Sequence, residues 1–369
     1  MKCILYLPYR LEAQGWGARM LRPRKMAEAF RENGYEVMMI SGVSSERRIM
    51  IREVRKRIRD GEKFDFLYAE SNTEPTLLTD PGHLPTHPFL DYGFFRFVKG
   101  HGIPLGLFYS DLFWKYEGYG AGLPAWKRTA ALACYRYDLR QYEKLLDRFF
   151  VPDKETFSRV LGSPRLAEIC RELPPGADHP DLSARRAPGD PNRPLTIFYV
   201  GGLGGNYQIE ELLRAVGTVE GTRLILCCRQ AEWEKEKDKL EPLLCDRIRV
   251  VHKSSGELEP LYAEADLGSL MFRRGSYMDM AKPFKTYEYL AHELPVLATE
   301  GTAAGRFTEE NGTGWAVAYN AETLAETLRE ILRNPAQIAE KRRHCAEAKT
   351  RNLWTCRAET AAEELKAAR

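Results

Sequence analysis

The sequence predicts an α/β protein built of two doubly wound domains that face one another across a cleft. Three observations lead there. At 369 residues the chain is too long for one ordinary core and suits two. Each half opens on an apolar strand, a glycine-bearing loop and a helix: Ile4–Leu7 with Gly15-Trp16-Gly17, then Leu195–Val200 with Gly201–Gly205. Between the halves, Leu173–Pro194 holds six prolines and little apolar content, the composition of a linker.

Taken in order, the first half reads as a buried strand at Ile4–Leu7, then a helix over Arg22–Asn33 with Pro23 in its first turn and Gly34 as its C-cap. A strand at Glu36–Ser41 and a helix over Glu46–Asp60 follow. Apolar runs at Phe64–Ala69, Pro104–Tyr109 and Arg148–Val151 read as strands, with Ala125–Leu146 helical. In the second half, strands are expected at Leu195–Val200, Arg223–Cys228, Ile248–Val251, Leu267–Phe272, Val296–Ala298 and Trp315–Val317. Helices are expected over Gln208–Val219, Leu258–Ala265 and Ala321–Arg333, and the tail Ala336–Arg369 reads as helical, anchored by Trp354. Strands alternating with helices predict parallel sheets covered on both faces. The expected domains are 1–178, a linker over 179–194, a second domain over 195–350, and a helix over 351–369 returning to the first.

Composition narrows the function. A net charge of +3 gives no case for a nucleic-acid binder. The eight cysteines are scattered without a CxxC pair or zinc spacing, which points to reduced thiols and a cytoplasmic setting. No apolar run approaches the roughly 20 residues of a membrane span.

The most informative stretch is Lys282-Pro-Phe-Lys-Thr-Tyr-Glu-Tyr-Leu-Ala-His-Glu-Leu-Pro-Val-Leu-Ala-Thr299. It reads as a basic loop, a short helix carrying Glu288, a turn at Pro295 and a buried strand. A helix N-terminus offers free N–H groups and partial positive charge. Beside Lys282 and Lys285 that corner suits a phosphorylated ligand, and Glu288, one turn on, would accept from sugar hydroxyls.

These residues resemble GT-B glycosyltransferases, whose two domains are Rossmann-like, and most closely the retaining, nucleotide-sugar-dependent family 4. Leu173-Pro-Pro-Gly-Ala-Asp178 is similar to the family's I-P-N-G-V-D, and Phe198-Tyr-Val-Gly-Gly-Leu203 to its Y-V-G-R-L. Glu257–Leu267 resembles the L-x-x-x-Y-x-x-A-D helix, Pro283–Thr299 the P-x-K-x-x-E-Y-L-A-x-G-x-P-V-V-A-T segment, and Gly312–Val317 the G-x-G-x-x-V strand. The resemblance implies transfer of a sugar from a nucleoside-diphosphate donor to a glycan or lipid-linked acceptor, with no metal or other cofactor. It makes Glu288 the second glutamate of the E-x7-E motif, which holds the ribose. Met280 stands where the first glutamate is expected, with Asp279 beside it, and Gly202 replaces the arginine of the G-R-L turn.

The positive charge for the leaving diphosphate then falls to Lys285 first, with Lys282, Arg273, Arg274 and Arg229 as further candidates. Lys285 otherwise reads as a solvated lysine, poorly placed against the helix dipole. Gly202 and Gly204 would let backbone approach the donor, or simply make a tight turn. Gly15, Trp16 and Gly17 resemble the first-domain loop that closes over the donor. Asp111, after an apolar strand, would orient acceptor or donor, or cap the segment that follows. Aromatics interleaved with Lys and Arg in Phe94–Lys99 and Trp114–Arg140 suit peripheral contact with the inner membrane face, or an ordinary helix with snorkelling cations. Two other readings remain at this level: a non-catalytic glycosyltransferase-like subunit, separated by a donor-turnover screen, and a sugar-nucleotide epimerase, which needs acid/base carboxylates near the sugar.

Overall fold

The computed structural model describes residues 1–11, 18–116, 118–187, 193–275, 279 and 282–368. Gly15, Trp16, Gly17 and Met280 lie outside them. The chain divides into two compact units, Met1–Pro175 with Trp354–Arg369, and Gly176–Leu353.

The first unit runs β1 (Lys2–Tyr6), α1 (Ala18–Glu32), β2 (Glu36–Ile40), α2 (Ser44–Arg59), β3 (Phe66–Glu70), α3 (Leu90–Gly100), β4 (Leu105–Phe108), α4 (Ala125–Leu145), β5 (Arg148–Val151), α5 (Lys154–Leu161), α6 (Pro164–Ile169) and β6 (Cys170–Glu172). Its six strands are parallel, in the order β2-β1-β3-β4-β5-β6. Right-handed crossovers place α2, α3 and α4 on one face and α1 on the other. The C-terminal helix Trp354–Lys366 packs beside α1, and its Leu365 sits where a side chain at Gly106 would have to go. Both faces of the sheet are therefore covered, which is why β1, β3, β4 and β5 read as continuous apolar runs.

The second unit runs β7 (Leu195–Val200), α7 (Glu210–Thr218), β8 (Thr222–Cys227), α8 (Gln230–Leu240), β9 (Ile248–Val251), α9 (Glu259–Glu264), β10 (Leu267–Leu270), α10 (Phe284–Ala291), β11 (Val296–Thr299), α11 (Ala303–Asn311), β12 (Gly314–Val317), α12 (Ala321–Arg333) and α13 (Ala336–Thr350). Its strands are also all parallel, in the order β12-β11-β10-β7-β8-β9. Strand order reverses between β7 and β10, and ligands of open α/β sheets bind beyond the strand ends at such a reversal.

Two expectations are corrected, and one strand went unread. Helix α1 begins at Ala18, so Pro23 lies inside it rather than in its first turn and removes one backbone hydrogen bond near its start. The tail is two helices, α13 and α14 (Trp354–Lys366), broken at Asn352-Leu353 where the chain passes from one unit to the other. Strand β6 did not stand out, because three residues at a sheet edge carry no readable period. Just past the C-cap of α10, His292, Glu293 adopts a left-handed φ of 50°. Salt bridges to Arg185 and Lys349 hold it there.

Candidate active site

The crevice in the second unit is built around one tyrosine. Strands β7 and β10 pair only through Ile197–Leu267 and Phe198–Gly268, then part. The Tyr289 ring fills the parting, and a Cβ on Gly268 would lie 2.7 Å from it. The Tyr289 hydroxyl accepts the Val200 N–H at 3.2 Å and donates to the Phe198 carbonyl at 3.0 Å. Both are backbone groups that the separated strands would otherwise leave unpaired. Tyr289 thus fixes helix α10 beneath the reversal.

One residue earlier on the same helix, the Glu288 carboxylate accepts the Tyr262 hydroxyl at 2.9 Å and forms a salt bridge with the Lys285 ammonium. Both side chains of that pair remain about a quarter exposed, at 26% and 28%. Burial, then the nearby Glu288 charge, pushes the Tyr262 phenol well above its ordinary range, so it stays a donor. His292 stacks on the Tyr262 ring with centroids 3.8 Å apart, closing the inner side of the pair. Burial raises the Cys227 thiol at the end of β8, and the Lys285 charge partly opposes that shift.

The remaining candidates have partners of their own. Arg229 stands at the N-cap of α8, largely exposed, paired with Glu232 at 3.0 Å. Arg273 donates from its backbone to the Gln208 carbonyl at 3.1 Å, and its guanidinium reaches the Gln208 side chain at 3.4 Å. Arg274 grips both oxygens of Asp279, at 3.2 and 3.0 Å. Arg306 ties the carbonyls of Gly301 and Asp279 together at 2.9 and 3.1 Å. Asp279, the neighbour of Met280, is thus strapped in place by two arginines. Lys282 also has interactions of its own.

Gly202 accepts the Tyr199 hydroxyl on its carbonyl at 2.6 Å, and a Cβ there would touch the Tyr207 ring at 3.0 Å. Gly204 has φ +73°, and a side chain would collide with Glu236 of α8. The left-handed φ of Gly204 is a requirement of the turn itself, while Gly202 lets the Tyr207 ring pack close to the backbone.

Asp111 belongs to the first unit, three residues beyond β4. Its Oδ1 accepts the Phe113 N–H at 2.8 Å, the geometry of a local cap, while burial raises its carboxyl above the ordinary range. Among the described residues no group of three or more His, Cys, Asp and Glu could hold a metal ion.

Residues 194–334 match the family described as Glycosyl transferases group 1. The second unit carries a glycosyltransferase domain. The whole chain has the GT-B fold. It is similar over 99% of both chains to HepE of Anabaena in complex with UDP-glucose, at TM-score 0.65 and 14% identity. A glycosyltransferase from Rickettsia africae ESF-5 matches at TM-score 0.64 and 12% identity, over 99% of this chain and 98% of that one. WaaG, a glycosyltransferase involved in lipopolysaccharide biosynthesis, matches at 0.59 and 14%, over 98% and 99%. Among curated protein sequences none matches.

Two residues of the glycosyltransferase domain escaped sequence reasoning, Tyr262 and Tyr289. Both stand inside motifs whose glutamate and lysine drew the attention. The signal was present: a tyrosine in a helix between two buried strands needs a partner for its hydroxyl.

Proposed function

We propose that the enzyme transfers a sugar from a nucleoside-diphosphate sugar to a hydroxyl of a glycan or lipid-linked acceptor in cell-surface glycan assembly, with retention of configuration as in family 4. The observation that carries this reading is the Lys285–Glu288–Tyr262 group at the start of α10, beside the strand-order reversal. A cation and a carboxylate one turn apart on a helix N-terminus suit a diphosphate next to a ribose diol. In this reading Glu288 accepts from the ribose, and Lys285, with the α10 N–H groups, takes up charge as the glycosidic bond breaks. No step calls for a metal. Arg229, Arg273 and Lys282 are the supporting cations, Gly202 and Gly204 shape the loop over the donor, and Asp111 orients the acceptor. HepE was solved with UDP-glucose, which makes uridine the first base to try. The setting proposed is the cytoplasmic side of a membrane.

The test is isothermal titration with UDP, GDP and dTDP, repeated with the 2′-deoxy form of the best ligand. Wild type should bind one diphosphate and discriminate against its 2′-deoxy form by about 1.5–3 kcal/mol, the net worth of a hydrogen bond to a charged group. Glu288→Ala should abolish that discrimination. Equal binding of both forms by wild type removes Glu288 from the ribose.

One observation favours a non-catalytic subunit instead. Arg274 holds Asp279, the carboxylate closest in sequence to the missing first glutamate. A sugar-nucleotide turnover screen separates the two readings: nucleotide binding without transfer or hydrolysis supports the subunit.

A further inference from the structure

Among the described residues of the second unit, one large hydrophobic side chain is exposed, and it stands at the crevice. Tyr207 is 39% exposed, in the loop between β7 and α7. A lone exposed aromatic is ordinary; one clamped over a crevice is not. Its backbone is fixed from three directions. The Tyr207 N–H donates to the Gly204 carbonyl at 2.8 Å, closing the glycine turn. The carbonyl of the next residue, Gln208, accepts the Arg273 N–H at 3.1 Å from beyond β10 and the Tyr319 hydroxyl at 2.7 Å from beyond β12.

The ring arches over the strand ends. The loop leads into α7, on the sheet face shared with α12, whereas the ring meets Phe272 edge-on with centroids 6.3 Å apart. Phe272 belongs to the core on the other face, together with Tyr262 and Tyr289. One side of the ring rests on Gly202, where a Cβ would come within 3.0 Å of it. Gly202 lies two residues beyond β7 and Phe272 two beyond β10, the strands that part at the reversal. Gly202 also stands where the family resemblance places an arginine, so this turn has given up a cation and admitted an aromatic ring.

We propose that the Tyr207 ring is the platform on which the transferred sugar lies, with an apolar C–H face of the sugar against the aromatic face. The assignment rests on the donor reading. With the ribose on Glu288 and the diphosphate at Lys285, the base hangs from the ribose on the side away from the diphosphate. A ring that arches over the strand ends from the opposite face therefore meets the sugar. A pyranose carries hydroxyls around its rim and C–H groups on its faces, and a fixed tyrosine ring with a wet edge matches that shape. An arginine at position 202 would crowd the ring away and hold the diphosphate instead. The exchange moves recognition from the phosphates, which all such donors share, to the sugar, which distinguishes them.

The experiment is titration calorimetry of the full chain with UDP and UDP-glucose, or with the diphosphate and sugar-diphosphate of whichever base binds. Tyr207→Ala should weaken the sugar-diphosphate roughly tenfold, the loss of a stacked contact and its buried apolar area, and leave the free diphosphate unchanged. Tyr207→Leu, which keeps bulk over Phe272 without an aromatic face, should weaken it about fivefold and guards against collapse of the loop. Tyr207→Phe should restore the sugar-diphosphate to near the wild-type affinity. Gly202→Arg should tighten the free diphosphate roughly tenfold and weaken the sugar-diphosphate relative to it. Transferred NOEs should connect tyrosine ring protons with sugar C–H protons in wild type and vanish in Tyr207→Leu. Equal weakening of both ligands by Tyr207→Leu, failure of Tyr207→Phe to restore affinity, or NOEs to the base in place of the sugar overturns the proposal and keeps the donor reading. A wild type that binds no nucleoside diphosphate removes the donor reading and this assignment with it.

Discussion

Removing the Lys285 ammonium should move two affinities in opposite directions. In the structure Lys285 is paired with the carboxylate assigned to the ribose, while Tyr262 holds the same carboxylate from the other side. Both charged groups are about a quarter exposed, so their net attraction is that of a partly screened pair, about 0.5–1 kcal/mol. In the proposed reading a diphosphate ligand draws Lys285 to itself, leaving Glu288 for the ribose. A nucleoside without phosphate has nothing to draw it with and must compete with the ammonium. Lys285→Ala should therefore weaken diphosphate binding by about 1.5–3 kcal/mol, roughly tenfold to a hundredfold, through loss of a charge-assisted hydrogen bond. It should strengthen nucleoside binding about twofold to fivefold, by the value of the competing pair. Titration calorimetry with uridine and UDP, or the pair of whichever base binds best, reads both. Lys285→Met, which keeps the stem, guards against loss of packing. If nucleoside and diphosphate weaken together, Lys285 is a structural cation and the reasoning fails. If neither changes, the diphosphate lies elsewhere.

Tyr289→Phe strips the hydroxyl bridging β7 and β10 and leaves the buried Val200 N–H without an acceptor; it should cost about 2 kcal/mol, a fall of roughly 4–8 °C in melting temperature, together with weaker nucleotide binding. Buried Asp138 has its carboxyl raised to about 7, burial outweighing the hydrogen bonds from Tyr92 and Thr76. The folded state then binds a proton that the unfolded state has released, so stability should fall as pH rises from about 4 to about 7, by an amount on the order of 4 kcal/mol. Asp138→Asn should flatten that slope in thermal melts across the same range, and an unchanged slope would assign the effect elsewhere. Glu70 is also raised to about 7 by burial, against the opposing charge of Arg22, and Glu70→Gln should remove a second, separate part of the same slope.

Much of the fold was legible because parallel strands buried on both faces leave uninterrupted apolar runs, and because Gly34 marks the end of α1 at positive φ. Helix α12 emerged with the bounds its pattern gave, Ala321–Arg333, since its apolar stripe and its Asn320 cap agree. Pro23 misled because a proline fits a helix start so well, although Ala18, Met20 and Leu21 extend α1 backwards. The candidate site was legible as a list of residue types around α10. Their pairing was not.

The order of apolar runs, turns and glycines determined by itself that this chain makes two parallel sheets, because local periodicity reports which faces are buried. It also placed a lysine and a glutamate one turn apart on the helix before β11, since helical spacing is a local property. Tertiary structure alone decided that Tyr289 closes the parting between β7 and β10, that Tyr262 reaches Glu288, and that Arg306 ties Asp279 to Gly301. Each of those contacts joins or competes for groups whose distance is set by packing, and sequence separation carries no information about it.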